Sequence, residues 1–167
     1  MNAPATLAYL GLGSNLGDRA KNIQNAIDAM KTHTIQICAV SHLYETMPHD
    51  VAESQPNYYN AVIRIQTDLC PNELHKVTTH LEHALGRRDK GLRKPRTIDI
   101  DILLYGEKSI YSDDLKIPHP HMLTRPFVLA PLREVLTSGW PKIAPDISVL
   151  CDRLTQPLTR VQTPLTL

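Results

Sequence analysis

Apolar residues follow two different periods along the chain, and the period changes from one segment to the next. In residues 18–31, apolar residues recur at helical spacing, at Ile23, Ala26, Ile27 and Met30, which predicts an amphipathic helix. In residues 57–67, apolar side chains occupy alternate positions, as expected for a strand with one buried face. The same reasoning predicts strands over 5–13, 34–44, 57–67 and 98–105, and helices over 18–31 and 71–86.

The order of these elements indicates a fold class. Strand, helix, strand, strand, helix, strand corresponds to two split βαβ units, which predicts an α+β, ferredoxin-like βαββαβ antiparallel sheet with helices packed on one face. Residues 127–136 are expected to add C-terminal helical decoration, before a tail rich in Pro and Thr. The chain shows no internal repeat or linker, so we expect a single domain over residues 1–167.

Composition and charge restrict the kinds of partner. Hydrophobic residues make up 42% of the 167 positions, enough for a core without disulfides or structural metal. Lys plus Arg (18) nearly balance Asp plus Glu (17), so no overall field attracts nucleic acid or a membrane surface. The three cysteines suit reduced thiols, and no apolar run is long enough to span a bilayer. We expect a soluble, cytoplasmic protein with a small-molecule partner.

The best candidate for chemistry is a pair of acids in the most regular predicted strand. Asp99 and Asp101 are two residues apart, so their carboxylates project from the same face of the sheet. Such a pair favours a cation between the two charges, and hard oxygen ligands favour Mg²⁺. The alternative is an exposed strand face whose acids pair with nearby Lys or Arg.

A basic segment precedes this strand. Residues 87–97 contain six cationic side chains and almost no apolar ones, which predicts a mobile surface loop. Flexible guanidinium donors beside a metal-binding carboxylate pair indicate a polyphosphate ligand. A solvated loop that only balances the aspartates is the alternative.

Two further segments are ambiguous by themselves. Gly11 and Gly13 are expected to permit a turn after the first strand, and Ser14 and Asn15 are good helix caps, but the segment lacks the Lys of a P-loop. A structural turn and a ligand-binding loop both remain open there. His119 and Arg125 belong to a loop of low apolar content, where a binding role is a hypothesis.

Six sequence blocks, taken together and in order, resemble one enzyme family. They are GLGSNLGDR at 11–19, QPNYYNAV at 55–62, LGR at 85–87, PRTIDIDILLYG at 95–106, IPHP at 117–120 and RPFVLAPL at 125–132. The chain resembles the 6-hydroxymethyl-7,8-dihydropterin pyrophosphokinase family of the folate pathway from about residue 7 to residue 135. This resemblance implies transfer of the diphosphoryl group of ATP to the pterin hydroxymethyl oxygen, leaving AMP, on a ferredoxin-like fold.

The resemblance also implies roles for residues near ATP. Asp99 and Asp101 would hold two Mg²⁺ ions that bridge the triphosphate. Two further sets match family positions: Arg87, Arg96 and Arg125 at the phosphates or in loop closure, and Glu82, Ile102 and His119 around the nucleotide.

For the pterin, the family pattern points to an aromatic and polar set: Thr46, Tyr58, Asn60 and Phe127. Tyr58 and Phe127 would cover the two faces of the heterocycle, while Asn60 and Thr46 would bond its edge. Period-2 alternation places Tyr58, and not Tyr59, on the face of Asn60.

The sequence departs from the family pattern in two loops. Many relatives carry a Trp before the Pro-Arg of the basic loop, whereas this chain has a shorter stretch in which Arg93 could stack on a ring in its place. Met47 stands where many relatives have Pro, which loosens the pterin loop.

Other functions remain open at this stage. The alternatives are a non-catalytic ferredoxin-like module that binds nucleotide without turnover, and a metal-dependent phosphohydrolase. Association with the next folate-pathway enzyme is a further expectation.

Overall fold

The computed structural model describes residues 5–31, 35–49, 53–88, 94–137, 147–153 and 158–167. The strands are β1 (Thr6–Ser14), β2 (Ile35–Val40), β3 (Tyr44–Thr46), β4 (Tyr58–Thr67), β5 (Asp99–Tyr105), β6 (Ile110–Tyr111), β7 (Lys116–Ile117) and β8 (Thr159–Arg160). The helices are α1 (Arg19–Met30), α2 (Pro71–Ala84), α3 (Pro126–Val135) and α4 (Ile147–Arg153), with a 3-10 turn at Met122–Thr124. Arg93 lies outside the described residues.

A mixed sheet-and-helix architecture with an antiparallel main sheet is confirmed. The strands run in the order β5-β1-β4-β3-β8, and β2 also pairs with β4. All of these pairings are antiparallel. Strands β6 and β7 form a separate two-stranded sheet. Strand β1 lies between β4 and β5, and its last residues pair with the first residues of both strands. The predicted acids, Asp99 and Asp101, lie in this first part of β5.

Helices α1 and α2 pack on one face of the sheet. The apolar stripe that predicted α1 is fully buried there, against alternate residues of β4 such as Ile63 and Ile65. Asp18 caps α1 by accepting a hydrogen bond from the backbone N–H of Lys21. The predicted caps at Ser14 and Asn15 are therefore wrong, because β1 continues to Ser14 and the helix begins later.

The opposite face of the sheet is also covered, by α3 (Pro126–Val135), which overlaps the segment 127–136 predicted as helical. Leu129, Leu132 and Val135 of α3 form a second core with β-sheet residues that include Tyr9 and Val62. The pairing of β1 with β5 shifts register between Tyr9 and Leu10, so that Leu103 and Leu104 both enter this core. No helix of the described residues is long and apolar enough to cross a membrane.

Candidate active site

Two glycines of β1 form the floor of a cleft over the sheet. Gly13 pairs with Asn60 on one side and with Asp99 on the other, and Gly11 pairs with Asp101 across the β1–β5 ladder. A Cβ at Gly13 would lie 3.3 Å from Oδ1 of Asn60, closer than an ordinary contact. The expected turn at these glycines is wrong, because both lie inside β1, where the missing side chains leave space.

Nine of the residues singled out from the sequence line this cleft. They are Thr46, Tyr58, Asn60, Arg96, Asp99, Asp101, His119, Arg125 and Phe127. The cleft thus brings together residues from β3, β4, β5, the segment before β5 and the start of α3. In it the arginines lie beside the aromatic rings, Arg96 near Tyr58 and Arg125 near Phe127.

Asp99 is held by two arginines. Nη2 of Arg96 lies 3.0 Å from its Oδ2, and Nη1 of Arg87 donates to its Oδ1. Burial acts to raise the pKa of Asp99, but the charges of Arg96 and Arg87 outweigh it and hold that pKa below its usual value. Asp99 is therefore an ionised carboxylate whose charge is already balanced.

Asp101 lacks such a balance, although it shares the cleft. Its side chain keeps 45% of its surface exposed, and Nε2 of His119 lies 3.9 Å from its Oδ2. Partial desolvation by the walls of the cleft, followed by the like charges of Asp99 and Glu82, raises the pKa of Asp101 to about 7. Burial and the charge of Arg125 lower the pKa of His119 to about 4, so its imidazole is neutral at neutral pH. A cation bound beside Asp101 would favour the ionised form of its carboxylate.

Arg87 is not a surface residue, which corrects that part of the basic-loop prediction. Its side chain is 7% exposed, and its Nη1 lies 2.5 Å from Oε1 of Glu82, which is 2% exposed. The same Glu82 oxygen accepts the backbone N–H of Ile100 at 2.7 Å. The buried carboxylate of α2 therefore anchors both Arg87 and the start of β5.

Three residues predicted near ATP do not line the cleft through their side chains. Glu82 and Arg87 lie behind Asp99, and the side chain of Ile102 belongs to the core beneath the sheet. Arg87 and Glu82 therefore act on the site indirectly, Arg87 by its contact with Asp99 and Glu82 by its contacts with Arg87 and the backbone of β5.

The predicted pterin residues lie close to the arginines of the cleft. Nδ2 of Asn60 donates to Oγ1 of Thr46 at 2.8 Å, and the guanidinium carbon of Arg96 lies 5.3 Å from the Tyr58 ring centre. The guanidinium of Arg125 lies 5.8 Å from the ring centre of Phe127. The alternation argument for Tyr58 is confirmed, since the next residue, Tyr59, packs with the core on the other face.

Asn15 does not line the cleft but joins two segments that flank it, a role not recognised from the sequence. It is 1% exposed. Its amide donates to Gln55 and to the carbonyl of Pro56, each at 3.2 Å. Its Oδ1 accepts the backbone N–H of Arg96 at 2.8 Å. Asn15 thus joins the segment before β4 to the segment before β5. No periodicity marks this role, although the residue belongs to the GLGSNLGDR block.

The carboxylate pair fits Mg²⁺ by its chemistry. Among the described residues no group of three or more His, Cys, Asp or Glu side chains is arranged to hold a metal ion. Mg²⁺ is commonly bound by one or two carboxylates together with substrate phosphates and water. Within the described ranges, the buried Nε atom of Arg96 has no hydrogen-bond partner, which leaves a donor for an anion at the same place.

A cleft that combines paired carboxylates, arginines and aromatic rings is typical of proteins that bind a charged small molecule beside a flat one. Comparison with known proteins identifies the class more narrowly. The model of the 7,8-dihydro-6-hydroxymethylpterin-pyrophosphokinase (HPPK) family matches residues 9–137. The chain belongs to this family.

Individual relatives agree with this assignment. The "Folate synthesis bifunctional protein" of Arabidopsis thaliana is 47% identical over 128 residues, which cover 76% of this chain and 26% of that protein. The "2-amino-4-hydroxy-6-hydroxymethyldihydropteridine pyrophosphokinase" of Bacillus subtilis is 41% identical over 130 residues, covering 77% of each chain. This chain therefore spans about a quarter of the plant protein and most of the bacterial one.

A solved structure supports the fold. The wild-type HPPK-DHPS of Plasmodium falciparum, crystallised with pteroate, superposes with a TM-score of 0.68 at 14% sequence identity. The match covers 89% of this chain and 44% of that one.

Proposed function

We propose that this chain transfers the diphosphoryl group of ATP to the hydroxymethyl oxygen of 6-hydroxymethyl-7,8-dihydropterin and releases AMP. The bond that forms joins this oxygen to the β-phosphorus, the bond that breaks joins the β-phosphorus to the oxygen of the α-phosphate, and the hydroxyl proton is released. The observation that carries the proposal is the cleft itself, which is lined both by Asp99, Asp101 and Arg96 and by Tyr58, Asn60 and Phe127.

For the phosphates, Asp99 and Asp101 are the residues that would hold Mg²⁺, and we propose two ions. When bound, the metal neutralises phosphate charge and lowers the pKa of the attacking hydroxyl. Arg96 and Arg125 line the cleft and present forked donors to several phosphate oxygens at once. Arg87 acts from behind, because its charge helps to keep Asp99 ionised.

For the pterin, Tyr58 and Phe127 offer aromatic faces to the heterocycle. Asn60 and Thr46 offer amide and hydroxyl groups for its polar edge. Their mutual hydrogen bond holds both groups in place before the ligand arrives. This preorganisation fits a phosphoryl-type transfer, in which positioning and charge neutralisation supply most of the catalysis.

We extend the proposal to the fold, the location and one partner. The strand order supports a ferredoxin-like topology, because β1 lies between β4 and β5 and each split βαβ unit contributes one helix to the same face. A single domain and a cytoplasmic location stay predictions. The bifunctional relative supports association with the next folate-pathway enzyme.

The nucleotide product tests the proposed reaction. The protein is incubated with Mg²⁺ and ATP, with and without 6-hydroxymethyl-7,8-dihydropterin, and nucleotides are separated by chromatography. The proposal predicts AMP only when the pterin is present. ADP as the product contradicts it, ATP loss without pterin indicates a phosphohydrolase, and binding without turnover indicates a nucleotide-binding module.

A further inference from the structure

Residues 158–167 cover the outer edge of β3. Strand β8 pairs antiparallel with β3, with Tyr44 opposite Arg160 and Glu45 opposite Thr159. Beyond this pairing, the backbone N–H of Val161 donates to the carbonyl of Leu43 at 2.9 Å. The short strand β3 is therefore held on both sides, by β4 and by β8.

The far end of this segment is attached to α1. The side-chain amide of Gln24 donates to the carbonyl of Thr166 at 3.1 Å. In return, the backbone N–H of Thr166 donates to the same Gln24 side chain at 2.9 Å. Between the two attachments, Val161 and Leu165 pack against the core on the α1 and α2 face. The segment thus extends from the sheet edge to a helix and is fixed at both ends.

Strand β3 carries a wall of the cleft. Its last residue, Thr46, is 5% exposed, lines the cleft and accepts the hydrogen bond from Asn60. Only three residue pairs join β3 to β4: Tyr44 with Asn60, Glu45 with Tyr59 and Thr46 with Tyr58. A three-residue edge strand has few ladder bonds to resist fraying, so its second neighbour matters for the position of Thr46.

The segment lies outside the part of the chain that matches the family. That match ends at residue 137, whereas β8 begins at Thr159. We propose that residues 158–167 form a positioning strap that holds β3, and through it Thr46, in the geometry that binds the pterin edge. The strap pairs with β3, which carries Thr46, and not with β5, which carries Asp99 and Asp101, so it acts on a proposed pterin residue and not on the carboxylate pair. The kinetic part of this proposal rests on the proposed function.

One substitution separates the hydrogen bond of the strap from its packing. Val161→Pro removes the N–H that reaches Leu43, and the preceding Arg160 already has the extended backbone that a following proline requires. Val161→Ala keeps the N–H and shortens the side chain, so it is the matched control. A chain that ends at residue 157 removes the whole strap.

Hydrogen–deuterium exchange of the peptide spanning residues 43–47 tests the structural part without any substrate. We expect faster exchange there in Val161→Pro and in the shortened chain than in Val161→Ala and the unmodified protein, with exchange of β5 unchanged. Unchanged exchange at 43–47 in both Val161→Pro and the shortened chain overturns the proposal, and so does an equal acceleration of exchange in β5.

Steady-state kinetics test the functional part. We expect Val161→Pro, which loses one hydrogen bond between the strap and β3, to raise the KM for the pterin by about fivefold. The KM for ATP should not change. An equal rise in both KM values indicates a general loss of structure and contradicts the positioning role. If the unmodified protein does not consume pterin, the proposed function fails while the exchange result still decides whether the strap holds β3.

Discussion

Nη2 of Arg96 lies 3.0 Å from Oδ2 of Asp99, so the cleft pairs its proposed phosphate-binding donor with its proposed metal-binding acceptor. A triphosphate that arrives with a cation offers each partner a new counter-charge. The pair can therefore separate on binding without leaving either charge unbalanced.

Replacing Arg96 tests this exchange. Arg96→Ala is expected to lower kcat by about 100-fold, the usual cost of removing one donor to the transition state. Arg96→Lys keeps the positive charge but not the forked pair of donors, so its kcat should lie between those of Arg96→Ala and the unmodified protein. Lys94→Ala, which changes a cation of the same segment that does not line the cleft, is the control. Equal losses in Lys94→Ala and Arg96→Ala would mean that only overall charge matters.

The two aspartates are expected to differ in what they do for stability. Asp99→Asn removes one of the two charges that balance the buried Arg87, and we expect it to lower the free energy of unfolding by about 2 kcal/mol. Asp101→Asn removes a charge that has like-charged neighbours, and it should not destabilise the metal-free protein. Both should abolish transfer. Denaturant unfolding without Mg²⁺ measures the difference, and equal destabilisation by the two variants would contradict the account.

The pKa of Asp101 predicts a pH dependence of stability. Folding raises this pKa from its ordinary value of 3.8 to about 7, so the folded protein binds this proton more tightly than the unfolded chain. Raising the pH from about 4 to about 7 therefore costs the wild-type protein stability at this site. The Tm of Asp101→Asn minus that of wild type should increase across this window and then level off. A difference that stays constant or shrinks with rising pH would contradict the assignment.

The glycines of β1 offer a matched pair of substitutions. A Cβ at Gly13 would lie 3.3 Å from Oδ1 of Asn60, whereas one at Gly11 would lie 3.4 Å or more from Leu103. Gly13→Ala should displace the Asn60 amide and raise the KM for the pterin by about tenfold, the cost of one lost hydrogen bond at a polar ligand edge. Gly11→Ala should change it little. Steady-state kinetics with saturating ATP compare the two variants. An equal change in the KM for the pterin would contradict the proposed contact between Asn60 and the pterin.

Local periodicity predicted α1 and β4 well, because the residues of each buried face recur at regular spacing within a short stretch of sequence. The alternation that placed Tyr58 beside Asn60 and Tyr59 on the opposite face follows from strand geometry alone. The two aspartates on one face of β5 follow from the same rule.

The features that sequence reasoning missed depend on contacts between distant segments. Arg87 looked like part of a solvated loop because its buried partner, Glu82, lies on α2, and charge spacing does not show that the two meet. The second face of the sheet is covered by a helix because α3 packs against Val62 and Tyr9. The pairing of β8 with β3 joins residues more than 100 positions apart in the sequence, and no local pattern encodes it.

The fate of the β-phosphate tests the central claim most directly. The protein is incubated with Mg²⁺, the pterin and ATP labelled at the β-phosphate, and the pterin and nucleotide fractions are separated, with Asp101→Asn run in parallel. The account predicts that the label moves to the pterin, that the nucleotide product is unlabelled AMP, and that Asp101→Asn transfers none. Label retained in ADP, or transfer undiminished in Asp101→Asn, would contradict diphosphoryl transfer at this cleft.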